Sequence, residues 1–136
     1  MFNHYAVWAA IILGEVMGIL WYSPALFLNP WLAAQGRTMA QLEAGPPWPP
    51  LWALVTSALT AYTIAWLIGR LDVRGFFAGA KLGVILFFGF VLFALAAHYQ
   101  FLGVANQVMW IDLGQVFLWM VLTAGIIASW RKRNAI

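Results

Sequence analysis

The chain contains no cysteine, and only 8% of its 136 residues are charged. Without Cys there is no disulfide, no thiol nucleophile, no iron–sulfur cluster and no Cys-ligated zinc. Charge is nearly as scarce: four acidic residues stand against seven Lys or Arg, for a net charge of +3. An ordinary soluble domain is about 25% charged and about 45–50% apolar, whereas this chain is 65% hydrophobic. So short a chain cannot cover itself with polar side chains. A water-soluble enzyme domain, a disordered chain and a disulfide-stapled module are all excluded. There is no P-loop, no dinucleotide fingerprint, no HExxH and no GxSxG. The basic run Arg131-Lys132-Arg133 is too short for nucleic-acid binding and reads as an anchor for anionic lipid.

What is present is hydrocarbon-compatible helix. A span needs about 20 mostly apolar residues, and four stretches qualify: 4–22, 49–69, 76–98 and 108–130. The runs are too continuously apolar for a membrane barrel. The prediction is an all-α integral membrane protein forming a single domain, an antiparallel bundle of four transmembrane helices. The Pro46-Pro47-Trp48-Pro49-Pro50 cluster marks the start of the second span, where proline costs no hydrogen bond. The first span lacks a basic leader and an A-x-A cleavage pattern, so it is expected to be a retained helix rather than a signal peptide. The apolar stretch from Ser23 toward Gly36 is expected to lie in the interface, with a re-entrant loop as the alternative. The short Arg70–Gly75 turn implies that spans two and three are neighbours.

Orientation follows from charge. Four spans gather Arg70, Arg74, Lys81, Arg131, Lys132 and Arg133 on one side and leave Arg37 on the other. The positive-inside rule then places both termini in the cytoplasm. Aromatic residues agree: Trp21, Tyr22, Trp31, Trp48, Trp52 and Trp110 fall near the outer interface, and Tyr5, Trp66, Phe76, Phe77 and Trp130 near the inner one. Trp119 falls near mid-bilayer and needs a protein contact.

Polar groups inside the spans are the candidate sites. Glu15 lies close to mid-bilayer, where an ionised carboxylate is expensive and an acid is a functional hypothesis by default. At similar depth the second span presents Thr56, Thr60 and Thr63. One reading is a proton or cation site; the other is a structural acid hydrogen-bonded to the threonine stripe. Asp112 reads as a helix-start stabiliser, or with His98, Asn106 and Gln107 as an outer polar mouth. His98 alone is a weak metal signal, because zinc sites take three or four ligands. Ala94 four residues before it is a spacing that also occurs at tetrapyrrole ligands, but it is nearly free in an Ala-rich helix. No metal and no cofactor is called for. Lys81 is expected to snorkel rather than reach Glu15. Gly14 with Gly18, and Gly75, Gly79 and Gly83, mark helix-packing faces.

The stretch Gly18-Ile19-Leu20-Trp21-Tyr22-Ser23-Pro24-Ala25-Leu26-Phe27, followed by Trp31, resembles the small bacterial membrane proteins catalogued as domain of unknown function 1761. Those carry a Gly-x-x-Trp-Tyr-Ser-Pro-x-x-Phe end to the first helix, an Asn/Tyr-rich outer loop and an Ile-Asp-x-Gly start to the last. The corresponding stretches here are His98-Tyr99-Gln100-Phe101 and Ile111-Asp112-Leu113-Gly114. The chain departs from the pattern in its Pro-rich Gly45–Pro50 segment and in His98, where an amide is expected. The resemblance implies four helices in a bacterial inner membrane and no particular activity.

Of three functions weighed, the first is the expectation, the second its alternative, and an enzyme is not expected. The first is a non-enzymatic accessory or interaction module packing through its glycine faces. Its partners would be the lipid bilayer and a second copy or a larger membrane complex, with no nucleic acid. The second is a small transporter or channel unit, with Glu15 as the intramembrane proton or cation site and Asp112 at the outer mouth. Its ion or small molecule is not specified by the sequence. The third is a membrane enzyme, which would need acids and histidines clustered at one interface. The discriminating feature is where Glu15 points.

Overall fold

The computed structural model describes residues 3–131. Helix α1 (His4–Trp21) starts where the Asn3 side chain accepts the Tyr5 amide, an N-cap that satisfies one otherwise unpaired donor. Two short helices follow, α2 (Leu28–Ala34) and α3 (Met39–Glu43). Thr38 and Gln41 close α3 with reciprocal capping bonds. Helix α4 (Pro49–Arg70) begins with proline in its first turn. The third long helix, Phe76–Phe101, is α5 (Phe76–Leu86), a π-helical turn over Phe87–Val91 and α6 (Leu92–Phe101). Helix α7 (Asn106–Ser129) is the last. No strand occurs among the described residues. Four helices are therefore long and apolar enough to cross a membrane. Lys132 and Arg133 lie outside the described residues.

Helix α7 is the hub of the packing: α1, α4 and α5 all lie against it. Near Arg70 and Arg131 the approach is close, because the facing residues are small. Ala61 and Ala65 of α4 and Ala124 and Ala128 of α7 are fully buried beside Val7, Ala10 and Ile11 of α1. A Cβ on Gly79 would collide with the Ala124 carbonyl, and one on Gly83 would lie 2.6 Å from the Met120 carbonyl oxygen. Both glycines of α5 are thus filled by the backbone of α7. Gly75 does something different. Its φ of 86° opens the turn into α5, and its amide donates to the Ala128 carbonyl at 3.1 Å. As a helix-packing residue it is a correction: a Cβ there meets nothing.

Spans two and three are neighbours: Leu82 and Leu86 of α5 share an apolar cluster with Ala61, Ile64 and Leu67 of α4, although α5 leans most on α7. Thr60, Thr63, Leu67, Leu86 and Phe90 line a groove between α4 and the third long helix. The turn is tied by charge: Asp72 binds Arg74 at 3.0 Å and Arg131 at 3.1 Å. Arg131 also donates to the carbonyls of Ile68 and Val73. The arginine beside it holds the Asp72 carboxyl below its ordinary value, first through the Arg74 hydrogen bond.

Around the outside, large apolar side chains face outward. Ile12, Ile19, Leu51, Leu59, Phe77, Phe90, Phe93 and Phe101 are all exposed.

Candidate functional site

Asp112 is the seventh residue of α7, nearly two turns in, so it does not cap the free amides of the helix start. Three side chains converge on it instead. The Tyr22 hydroxyl donates to Oδ1 at 2.5 Å, the Trp31 indole Nε1 donates to Oδ1 at 2.9 Å, and the Tyr99 hydroxyl donates to Oδ2 at 2.8 Å. These donors come from the end of α1, from α2 and from α6. A carboxylate accepts about four hydrogen bonds, and bonds to a charged acceptor are short and strong. One acid therefore ties four segments together at the end of the molecule opposite Arg70.

The chain after α1 is shaped to deliver those donors. Ser23 Oγ donates to the Leu20 carbonyl, the Phe27 amide reaches back to the Trp21 carbonyl, and the Leu28 amide to the Ser23 carbonyl. The resulting turn reverses the chain, and buried Leu28 and Leu32 seat α2 on α7. Trp31 then meets Tyr22 edge-on, with ring centroids 5.4 Å apart. Trp21 donates its Nε1 to the Ile111 carbonyl at 3.1 Å and lays its ring over Gly114, where a Cβ would lie 3.2 Å from the indole.

Below this hub α1, α4 and α7 diverge around a cleft of about 480 Å³. Gly14, Glu15, Gly18, Ile19 and Tyr22 form one wall, Pro50, Ala53, Thr56 and Ser57 the second, and Gln115, Val116 and Trp119 the third. Ser57 Oγ donates to Glu15 Oε1 at 2.6 Å. Trp119 is buried on Gly14, whose missing Cβ makes room for it: a Cβ would lie 2.5 Å from Nε1. Asp112, Gln115 and Trp119 share one face of α7, so hub and cleft are continuous through Tyr22 and that face.

The family described as "Protein of unknown function (DUF1761)" matches residues 5–128. The chain belongs to this family. No curated protein and no solved structure matches it. The resemblance carried by the Trp-Tyr-Ser-Pro stretch is thus sound, and this DUF1761 chain gives that stretch a physical role: Trp21, Tyr22, Ser23, Pro24, Phe27 and Trp31 make the turn and aim three of its rings at α7. Tyr99 and Asp112, from the other two matching stretches, complete the same hub.

Other sequence-derived candidates fall elsewhere. The outer polar mouth is not assembled. His98 is exposed, and the Asp112 carboxylate is met by Tyr22, Trp31 and Tyr99. Asn106 accepts from Gln100 at 2.9 Å, and Gln107 lines a separate hollow with Trp21, Phe27 and Pro30. Among the described residues no three His, Cys, Asp or Glu gather as metal ligands. The threonine stripe is not Glu15's partner either. Thr56 lines the cleft, but Thr60 and Thr63 face the groove toward α5, and Thr63 bonds its own helix at Leu59. Lys81 is exposed, and Glu15 meets Ser57 rather than this lysine. Sequence reasoning missed Ser57. Ser57, Ala61 and Ala65 form a small-residue row at i, i+4, i+8, and that row marks the buried face of α4 better than the threonines do. Tyr99, in the His98-Tyr99-Gln100-Phe101 stretch, takes its role from a hydroxyl whose direction the sequence does not specify.

Proposed function

We propose that this protein is an antiparallel four-span integral membrane protein with both ends in the cytoplasm, and that it works as a small transport or channel unit in which Glu15 is the intramembrane proton or cation site. The exposed apolar belt supports insertion, because soluble monomers rarely leave such continuous apolar area in water. Arg70, Arg74 and Arg131 gathered at one end support the orientation. One observation carries the functional reading: the Glu15 carboxyl lines an open cleft while one of its oxygens accepts from Ser57 across α1 and α4. Asp112 is a structural clamp in this reading, not a mouth residue. The interaction-module reading loses its main surface, since Gly79 and Gly83 are filled by α7 and Gly14 by Trp119.

The two acids test it. In native membranes, dicyclohexylcarbodiimide, a lipophilic carboxyl reagent, is expected to modify Glu15 and spare Asp112, read by mass spectrometry of the chain's fragments, which separates the two sites. Modification of Asp112 with Glu15 untouched overturns the assignment. A reporter fused after Ile136 is expected on the cytoplasmic face, and an external reporter overturns the orientation.

A further inference from the structure

The cleft narrows the kind of cation. Its lining includes one acid and no Lys, Arg or His. Ser57 occupies Oε1, and among the described residues no other group bonds the Glu15 carboxyl, so Oε2 faces the space. The remaining lining is mostly apolar and aromatic, with Ile19, Val116, Ala53, Tyr22 and Trp119, and adds the polar Thr56 and Gln115. About 480 Å³ is far more than a bare metal ion needs and is within the range of drug-sized sites. The mouth lies between α1 and α4, at Ile19, Pro50, Ala53 and Thr56, all exposed. In a bilayer that mouth opens on acyl chains, so an occupant reaches it from lipid.

We propose that the Glu15 cleft binds a lipophilic organic monocation, a substituted ammonium with an aromatic or alkyl body, entering between α1 and α4. The inference rests on the reading of Glu15 as a cation site and names its ligand class. The cationic head sits at Oε2, and the body lies against Trp119 and Tyr22, since aromatic faces attract quaternary ammonium groups. Proton and ligand compete for the same carboxylate. Tyr22 is the other titratable lining group, with its hydroxyl held on Asp112; α4 contributes Thr56 and Ser57, and α7 contributes Gln115 and Trp119.

The test uses the full chain in lipid nanodiscs and benzyltriethylammonium as probe. Saturable binding of one probe per chain is expected, weakening as pH falls. Glu15→Gln is expected to weaken it roughly tenfold or more, because a desolvated charge partner is lost. Ala53→Phe adds bulk to the cleft wall while keeping both Glu15 and Ser57 in the chain, and is expected to abolish binding, which keeps the test valid if Glu15→Gln misfolds. Phe101→Ala, on the exposed surface, is expected to bind normally. Equal binding of an uncharged aromatic of the same size, or full binding by Glu15→Gln, overturns the inference. A parallel infrared measurement follows the Glu15 carboxyl band on adding sodium or changing pH. If that band responds while the probe does not bind, the organic-cation inference fails and the cation-site reading stands. If it responds to neither proton, sodium nor probe, both fail.

Discussion

The two ends of this molecule are built on opposite plans. Near Arg70 and Arg131, α1, α4, α5 and α7 approach through Ala and Gly until side chain meets backbone. Near Asp112 the helices stand apart, and five long polar or aromatic side chains span the gaps by hydrogen bonds. Contact packing gives a rigid half. Directional bonds at the periphery permit an open interior, because each holds two segments at a fixed distance without filling the space between them. The Glu15 cleft exists because the second plan begins where the first stops, at Gly14 and Trp119.

If that contrast is right, the largest effect comes from adding bulk to the close-packed half. Gly83→Leu forces a side chain into the Met120 carbonyl and is expected to cost about 3 kcal/mol or more, read as loss of monodisperse protein in detergent. Tolerance of Leu there breaks the comparison. Next comes removal of the clamp. Asp112→Ala leaves Tyr22, Trp31 and Tyr99 without their acceptor, and a loss of roughly 1–3 kcal/mol is expected in a thermal melt, with little change in helix content. Trp31→Phe removes one donor and is expected to cost about 1 kcal/mol while releasing α2, seen as faster proteolysis of residues 35–48. A double-mutant cycle between the two sharpens the comparison: coupling is expected across the clamp, and additivity would show that the donors act separately.

The smallest effect is a pH dependence at the basic end. Asp72 is largely exposed, and its folded carboxyl titrates below the ordinary value. Its contribution is full above the unfolded value, about 3.9, and is lost as pH falls through the lower, folded one. Asp72→Asn is expected to flatten only this acid limb of the melting curve. An effect near neutral pH would assign the charge cluster a larger role than its exposure allows.

Much of the fold was legible. The four long helices begin and end within about three residues of the ranges expected, because run length and proline placement are local properties. The close approach at Gly79 and Gly83 was legible as spacing. What failed were choices between faces. The threonines of α4 were legible as polar, yet Ser57, one residue from Thr56, is the residue that α1 meets. His98, Asn106 and Gln107 share an end of the molecule with Asp112 but not its direction. A shift of one position on a helix turns a side chain by about 100°, and composition does not carry that angle.

By itself, then, the sequence determined the apolar character of the four long helices, their number and their extent, since each depends on neighbours within a few residues. Only the tertiary structure decided that Tyr22, Trp31 and Tyr99 share one carboxylate and that Glu15 lines a cleft beside Ser57. Those contacts join residues 13 to 90 positions apart, and helix rotation and separation, not local propensity, set which side chains can meet across such distances.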